Sequence, residues 1–172
     1  GDRDMGWGYG FRCPTVDLVN AFEPGDSRYD ATIVEDGESI PGIFGGAPHD
    51  FTGGSWNPPT GFMGQKYLIP DSERPVTADC NGNLDYIFLR YADILLMHAE
   101  ASMEIGDNGA AENSLNLVRN RAGLGNYDAN AAVISTYKET SLLGHDPLRA
   151  SIYHERRVEF GLESERFYDL EI

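Results

Sequence analysis

The chain has 172 residues, 41% of them hydrophobic, and a formal net charge of −15 from 28 acidic against 13 basic side chains. Such a length and apolar content suit one domain with a real core. A surface this acidic repels phosphate backbones and anionic headgroups, which argues against nucleic acid as a partner, and no apolar run approaches the length of a membrane span.

The chain opens on "GDRDMGWGYG", with no basic segment leading into an apolar one, so no signal peptide is expected at its start. Residues 1 to 85 are rich in Gly, Pro, Asp and aromatics, and "DGESIPGIFGGAPHDFTGGSWNPPTGF" holds too many turn formers for a long helix. A short helix is predicted at 15–22, with Pro14 in its first turn, where a missing N–H costs nothing. Short strands are predicted at 31–34 ("ATIV") and 66–70 ("KYLIP").

Residues 86 to 172 carry helical periodicity with clear punctuation. A first helix is predicted from Tyr86 to Ile105, with Ile87, Phe88, Tyr91, Ala92, Ile94, Leu95, His98 and Ala99 on one apolar face. Gly106 ends it, and Asp107 or Asn108 caps the next. The second helix, Ala110 to Ala122, turns Ala111, Ser114, Leu115, Val118 and Ala122 inward and stops at Gly123. Helices joined this closely pack antiparallel as an αα-hairpin, whose span of about 34 residues is that of a tetratricopeptide repeat. A third helix is predicted from Pro147 to about Leu170, capped by Asp146, with Leu148, Ile152, Val158 and Leu162 on one face. The expected fold is mainly α: a tetratricopeptide-like αα-hairpin scaffold with long irregular loops and one or two short β-strands. Residues 1–85 form a loop-rich region packed on the helical region 86–172, as one domain that is the C-terminal part of a longer protein.

The helices carry charge where apolar residues are expected. Arg90, Asp93 and Glu100 lie in the first helical pattern, and Glu155 and Glu159 lie in the middle of the apolar face of the third. An unpaired buried carboxylate costs several kcal/mol or neutralises. Arg119, Arg121 and Arg90 offer guanidinium forks that suit carboxylates. Arg90, Asp93, Glu100, Arg119, Arg121, Glu155 and Glu159 are therefore read as a structural ion-pair network holding three helices in register. The competing reading is a glycosidase-like pair, since carboxylates four apart on a helix can approach the ~5 Å of a retaining enzyme. Catalytic carboxylates project from loops into clefts, whereas these point into a helix seam, so no catalytic residue is assigned.

"RYADILLMHAEASMEIGD" (90–107), "LNLVRNRAGL" (115–124) and "HERRVEFGLESERFYDL" (154–170) together resemble, in order and spacing, the C-terminal signature of the SusD/RagB-like family. "CPTVDLVNAFEPGDSR" (13–28) and "TGFMGQKYLIP" (60–70) resemble the region upstream of it. The resemblance implies a surface-exposed, lipid-anchored outer-membrane protein of Gram-negative bacteria that captures nutrients on a tetratricopeptide-like scaffold. It implies a glycan ligand, or less often a peptide, and a SusC-like TonB-dependent transporter as partner. Membrane attachment is then only through a lipid anchor outside this chain, because neither Cys13 nor Cys80 follows a signal sequence.

Glycans are held by aromatic faces flanked by polar groups. Trp7 and Tyr9 in "GWGYGF", and Trp56 in "GGSWNPP", lie in glycine-bracketed loops, with Asn57 and Asp50 as polar neighbours. These five are the candidate ligand contacts; the alternative is that each ring plugs a loop onto the scaffold. No cofactor is implied. His98 is read as a core histidine, and His49, His145 and His154 show no metal spacing. "DCNGNLD" (79–85) is read as a turn at Asn81-Gly82, with a surface calcium as the alternative. Cys13 and Cys80 are either one disulfide or two buried thiols.

Overall fold

The computed structural model describes residues 13–48, 50–51, 58–73, 85, 87–142 and 146–163. The fold is mainly helical, an αα-hairpin scaffold with a third packed helix and a single two-stranded sheet among the described residues. Two compact units are present: Gly1–Val19 with Tyr29–Tyr86, and Asn20–Arg28 with Ile87–Ile172.

In the first unit, α1 (Val16–Val19) is one turn. Thr15 Oγ1 accepts from Leu18 N at 3.2 Å, so Thr15 is the cap and Pro14 precedes it rather than sitting in the first turn. The predicted 15–22 helix is cut to four residues because nothing in it is buried enough to stabilise a longer one. α2 (Arg28–Thr32) takes up Ala31 and Thr32, so β1 is only Ile33–Val34. β1 pairs antiparallel with β2 (Met63–Gly64), Ile33 opposite Gly64 and Val34 opposite Met63. The strand predicted at 66–70 is therefore three residues earlier. Tyr67 adopts φ 71° and Leu68 N bonds Gln65 O at 3.1 Å, a turn that cannot continue a ladder. Val34, Ile40, Ile43, Phe51 and Met63 form this unit's core. Its loops are tied by carboxylates: Asp36 accepts from Phe51 N at 2.7 Å and Asp71 from Gly45 N at 2.6 Å.

The second unit is built on α3 (Tyr91–Glu104), α4 (Asn108–Arg121), the short α5 (Lys138–Leu142) and α6 (Pro147–Glu159). The α3–α4 connector follows its punctuation: Gly106 has φ 83°, and Asp107 caps α4 by accepting from Ala110 N at 3.1 Å. Ala92, Leu96, Ala99 and Met103 of α3 pack with Ala111, Leu115 and Val118 of α4 and with Leu148, Ile152 and Phe160 of the α6 region.

Two expectations fail here. The first helix starts at Tyr91, not Tyr86: Arg90 is extended at φ −135°, ψ 163°. Of its predicted apolar face, Ala92 and Ala99 are buried, while Ile87, Phe88, Tyr91 and Ile94 are exposed. The apolar residues run round much of this helix, so periodicity leaves its inward phase ambiguous, and Asp93, buried on Arg156, helps set it. The third helix ends at Glu159, short of Leu170; Phe160 is its C-cap and Leu162 takes φ 68°. A left-handed leucine costs about 1 kcal/mol or more, offset here by what the reversal delivers, since Glu163 reaches back to Arg90.

Candidate functional site

α6 is set by its first residues. Asp146 Oδ1 accepts from Leu148 N (3.0 Å) and Arg149 N (3.3 Å), and Pro147 begins the helix with φ already suited to it. The helix is buried nearly all round, from Ala150 to Glu159. Its charged side chains therefore need partners inside the protein.

Four guanidinium groups supply them. Arg28 Nη1 donates to Glu155 Oε1 at 2.5 Å and to Glu159 Oε2 at 3.0 Å, while its Nε and Nη2 fork onto Asp26 at 2.8 and 2.7 Å. Arg119 Nη1 lies 3.3 Å from Glu155 Oε2 and 2.7 Å from Glu23 Oε1. Arg121 reaches Glu159 Oε1 at 2.5 Å, and Arg90 bonds the same oxygen. Arg90 also forks onto Glu163 at 2.9 and 3.0 Å and lies over the Phe160 ring, 4.4 Å from its centroid. Glu155 is 0% exposed and Glu159 2%.

The electrostatics follow from this geometry. Burial pushes the Glu159 carboxyl up, but the Arg90 and Arg28 guanidiniums outweigh it and hold it below the usual carboxylate range. Glu23 is likewise held down, burial being outweighed by Arg119 and by the Tyr137 hydroxyl. At Glu155 burial dominates and raises the carboxyl, with Arg28 and Arg119 pulling the other way. Beside this cluster, His154 Nδ1 is 3.2 Å from Glu139 Oε2 and its ring stacks on Tyr137 at 3.6 Å. Burial pushes Glu139 up, but His154 and Arg157 prevail and bring it down to about 2.

All four carboxylate oxygens of Glu155 and Glu159 are thus engaged by guanidiniums and shielded from solvent. Neither can meet a glycosidic bond, so the pair does not serve as an acid–base couple. Its chemistry is structural: it ties α3, α4 and α6 to the 23–28 segment.

The structure brings Arg90, Arg119, Arg121, Glu155 and Glu159 together. Asp93 pairs instead with Arg156 at 3.0 Å, and Glu100 takes the Tyr153 hydroxyl at 2.5 Å. His98 is an exposed residue, not a core histidine, with Nδ1 2.9 Å from Ser114 Oγ. Sequence reasoning missed Arg28, Asp26 and Glu23, which lie in "EPGDSR" (23–28). Charges in a turn-rich stretch ordinarily read as solvated, and only the long-range placement of this segment buries them. Of the candidate ligand contacts, Asp50 is exposed, and Trp7, Tyr9, Trp56 and Asn57 lie outside the described residues, as do Cys80, Asn81 and Gly82.

The SusD family matches this sequence over residues 2–171. SusD-like protein P2 of Formosa agariphila is 39% identical over 87 residues, which is 50% of this chain and 16% of that protein. Among solved structures, surface glycan-binding protein A from Bacteroides uniformis is 30% identical with a TM-score of 0.60, over 90% of this chain and 28% of that one. A SusD-like protein from Bacteroides fragilis is 28% identical with a TM-score of 0.68, over 92% of this chain and 35% of that one. The chain therefore spans only a sixth to about a third of the length of these relatives. With the match running through nearly every residue, helices and loops alike, the chain belongs to the SusD family.

Proposed function

We propose that this chain is part of a non-enzymatic, surface-exposed nutrient-binding protein that captures oligo- or polysaccharides. It delivers them to a SusC-like TonB-dependent transporter in the outer membrane, to which it is held by a lipid anchor carried elsewhere in the polypeptide. The observation that supports this most is the likeness to a surface glycan-binding protein at 30% identity over 90% of this chain. The buried network agrees with it, since its carboxylates serve packing rather than chemistry. Among the described residues no helix is long and apolar enough to cross a membrane. Trp7, Tyr9 and Trp56 supply the aromatic faces in this reading, with Asn57 and Asp50 as hydroxyl partners.

The test is a binding screen of the full-length protein against plant, host and microbial polysaccharides, with assay for new reducing ends. Binding without cleavage is expected. Release of reducing ends lost in Glu155→Gln would overturn the non-enzymatic reading, and capture of peptides with no glycan binding would replace the ligand class.

A further inference from the structure

The segment Asn20–Arg28 belongs to the helical unit by its contacts, although Val19 before it and Tyr29 after it belong to the other unit. Its seat is made of charge rather than apolar surface. Within it only Asp26 and Arg28 are buried; Ala21, Phe22 and Glu23 are half-buried, and Asn20, Pro24, Gly25 and Ser27 are exposed. Among the described residues, the hydrophobic core around Leu96, Leu115 and Ile152 includes none of the segment. Glu23 holds Arg119 at 2.7 and 3.3 Å and takes the Tyr137 hydroxyl at 2.7 Å. Arg28 reaches Glu155 and Glu159. Between them Ser27 N and Oγ both donate to Ala122 O at 3.1 Å.

These charges divide along one line. Asp26 takes the Arg28 backbone N–H at 3.0 Å as well as its guanidinium fork, so Arg28 carries a counter-charge within the segment itself. On the helices, Glu155 has Arg119, and Glu159 has Arg90 and Arg121, independently of Arg28. Lifting the whole segment therefore strands no buried charge on either side, and Glu23 passes to water, where a carboxylate needs no cation. Removing the Arg28 side chain in place is different, because Asp26 would then stay buried without its fork. A segment with few buried apolar contacts also opens at a lower free energy than the core it covers. We infer that Asn20–Arg28 is a strap that lifts off α4 and α6 and re-seats as one charge-held piece while the helices stay folded. It is a releasable clasp at the point where the chain passes from one unit to the other and back.

The test is residue-level amide hydrogen exchange of the full-length protein, with each rate corrected for its intrinsic value. The Ser27 amide reports the strap, since it donates to Ala122 O, and the Ile152 and Val158 amides report α6. Ser27 is expected to exchange about ten-fold or more slower than an unprotected amide, and about ten-fold or more faster than Ile152 and Val158. Glu23→Gln keeps the side-chain shape and removes the charge that holds Arg119; it is expected to speed Ser27 about five-fold or more and to leave the α6 amides unchanged. Equal rates at Ser27 and in α6 would overturn the inference, because the segment would then open only with the whole unit. An unprotected Ser27 would overturn it too, since no seated strap would exist. So would a Glu23→Gln protein in which Ser27 keeps its rate, or in which α6 speeds up as much as Ser27. If that substitution disturbs folding, the comparison of Ser27 with Ile152 and Val158 in the unsubstituted protein decides by itself.

Discussion

Arg28 is the most informative residue to perturb. Its guanidinium spans Asp26, Glu155 and Glu159, and only 8% of the residue is exposed. In Arg28→Ala, Asp26 loses its fork, Glu155 keeps only Arg119 at 3.3 Å, and Glu159 keeps Arg90 and Arg121. Breaking a buried pair by removing one partner costs about 3–5 kcal/mol, because the remaining charge stays buried. For a domain of this size that is a fall of about 6–20 °C in melting temperature. Arg121 is the internal control. It also sits 2.5 Å from Glu159, but its side chain is 58% exposed, so Arg121→Ala should cost under about 1 kcal/mol. Arg28→Lys should fall between, since an ammonium carries the charge but not the fork. The assay is urea and thermal unfolding of the full-length protein, followed by amide exchange in α6 to assign the change to this unit. Equal losses for Arg28→Ala and Arg121→Ala would refute the reasoning, because proximity alone would then outweigh burial.

Three further outcomes are expected. Glu139 is at about 2 in the fold against an ordinary 4.5, and Glu159 and Glu23 are also held low, so the stability they contribute is present above pH 4.5 and drains as pH falls toward 2; Glu139 alone contributes up to about 3 kcal/mol. Acid titration of the melting temperature checks this, with Glu139→Gln expected to flatten the acid limb and a profile unchanged by that substitution counting against it. Asp146→Ala removes the cap of α6 and should cost about 1 kcal/mol, read by urea unfolding, with Asp146→Asn largely restoring it. Trp7→Ala and Trp56→Ala should each weaken glycan binding by about 1–3 kcal/mol in calorimetry if the rings are central anchors; unchanged affinity at unchanged melting temperature removes both from the ligand site.

The sequence by itself determined the helical punctuation. Gly106, Asp107, Gly123 and Asp146 each act on their own backbone neighbours, so their roles are local and readable. It also determined that Glu155 and Glu159 required cations, because a carboxylate on an apolar stripe admits few alternatives. The tertiary structure alone decided which cations. Arg28 lies 127 residues from Glu155 and 131 from Glu159, and nothing local marks a turn-borne arginine as buried. It also decided which side of α3 faces inward, since a helix apolar round much of its circumference has no preferred phase until Arg156 claims Asp93. And it decided where α6 stops: helical periodicity runs past Glu159, but the gain from folding Glu163 back onto Arg90 exists only once both are in place.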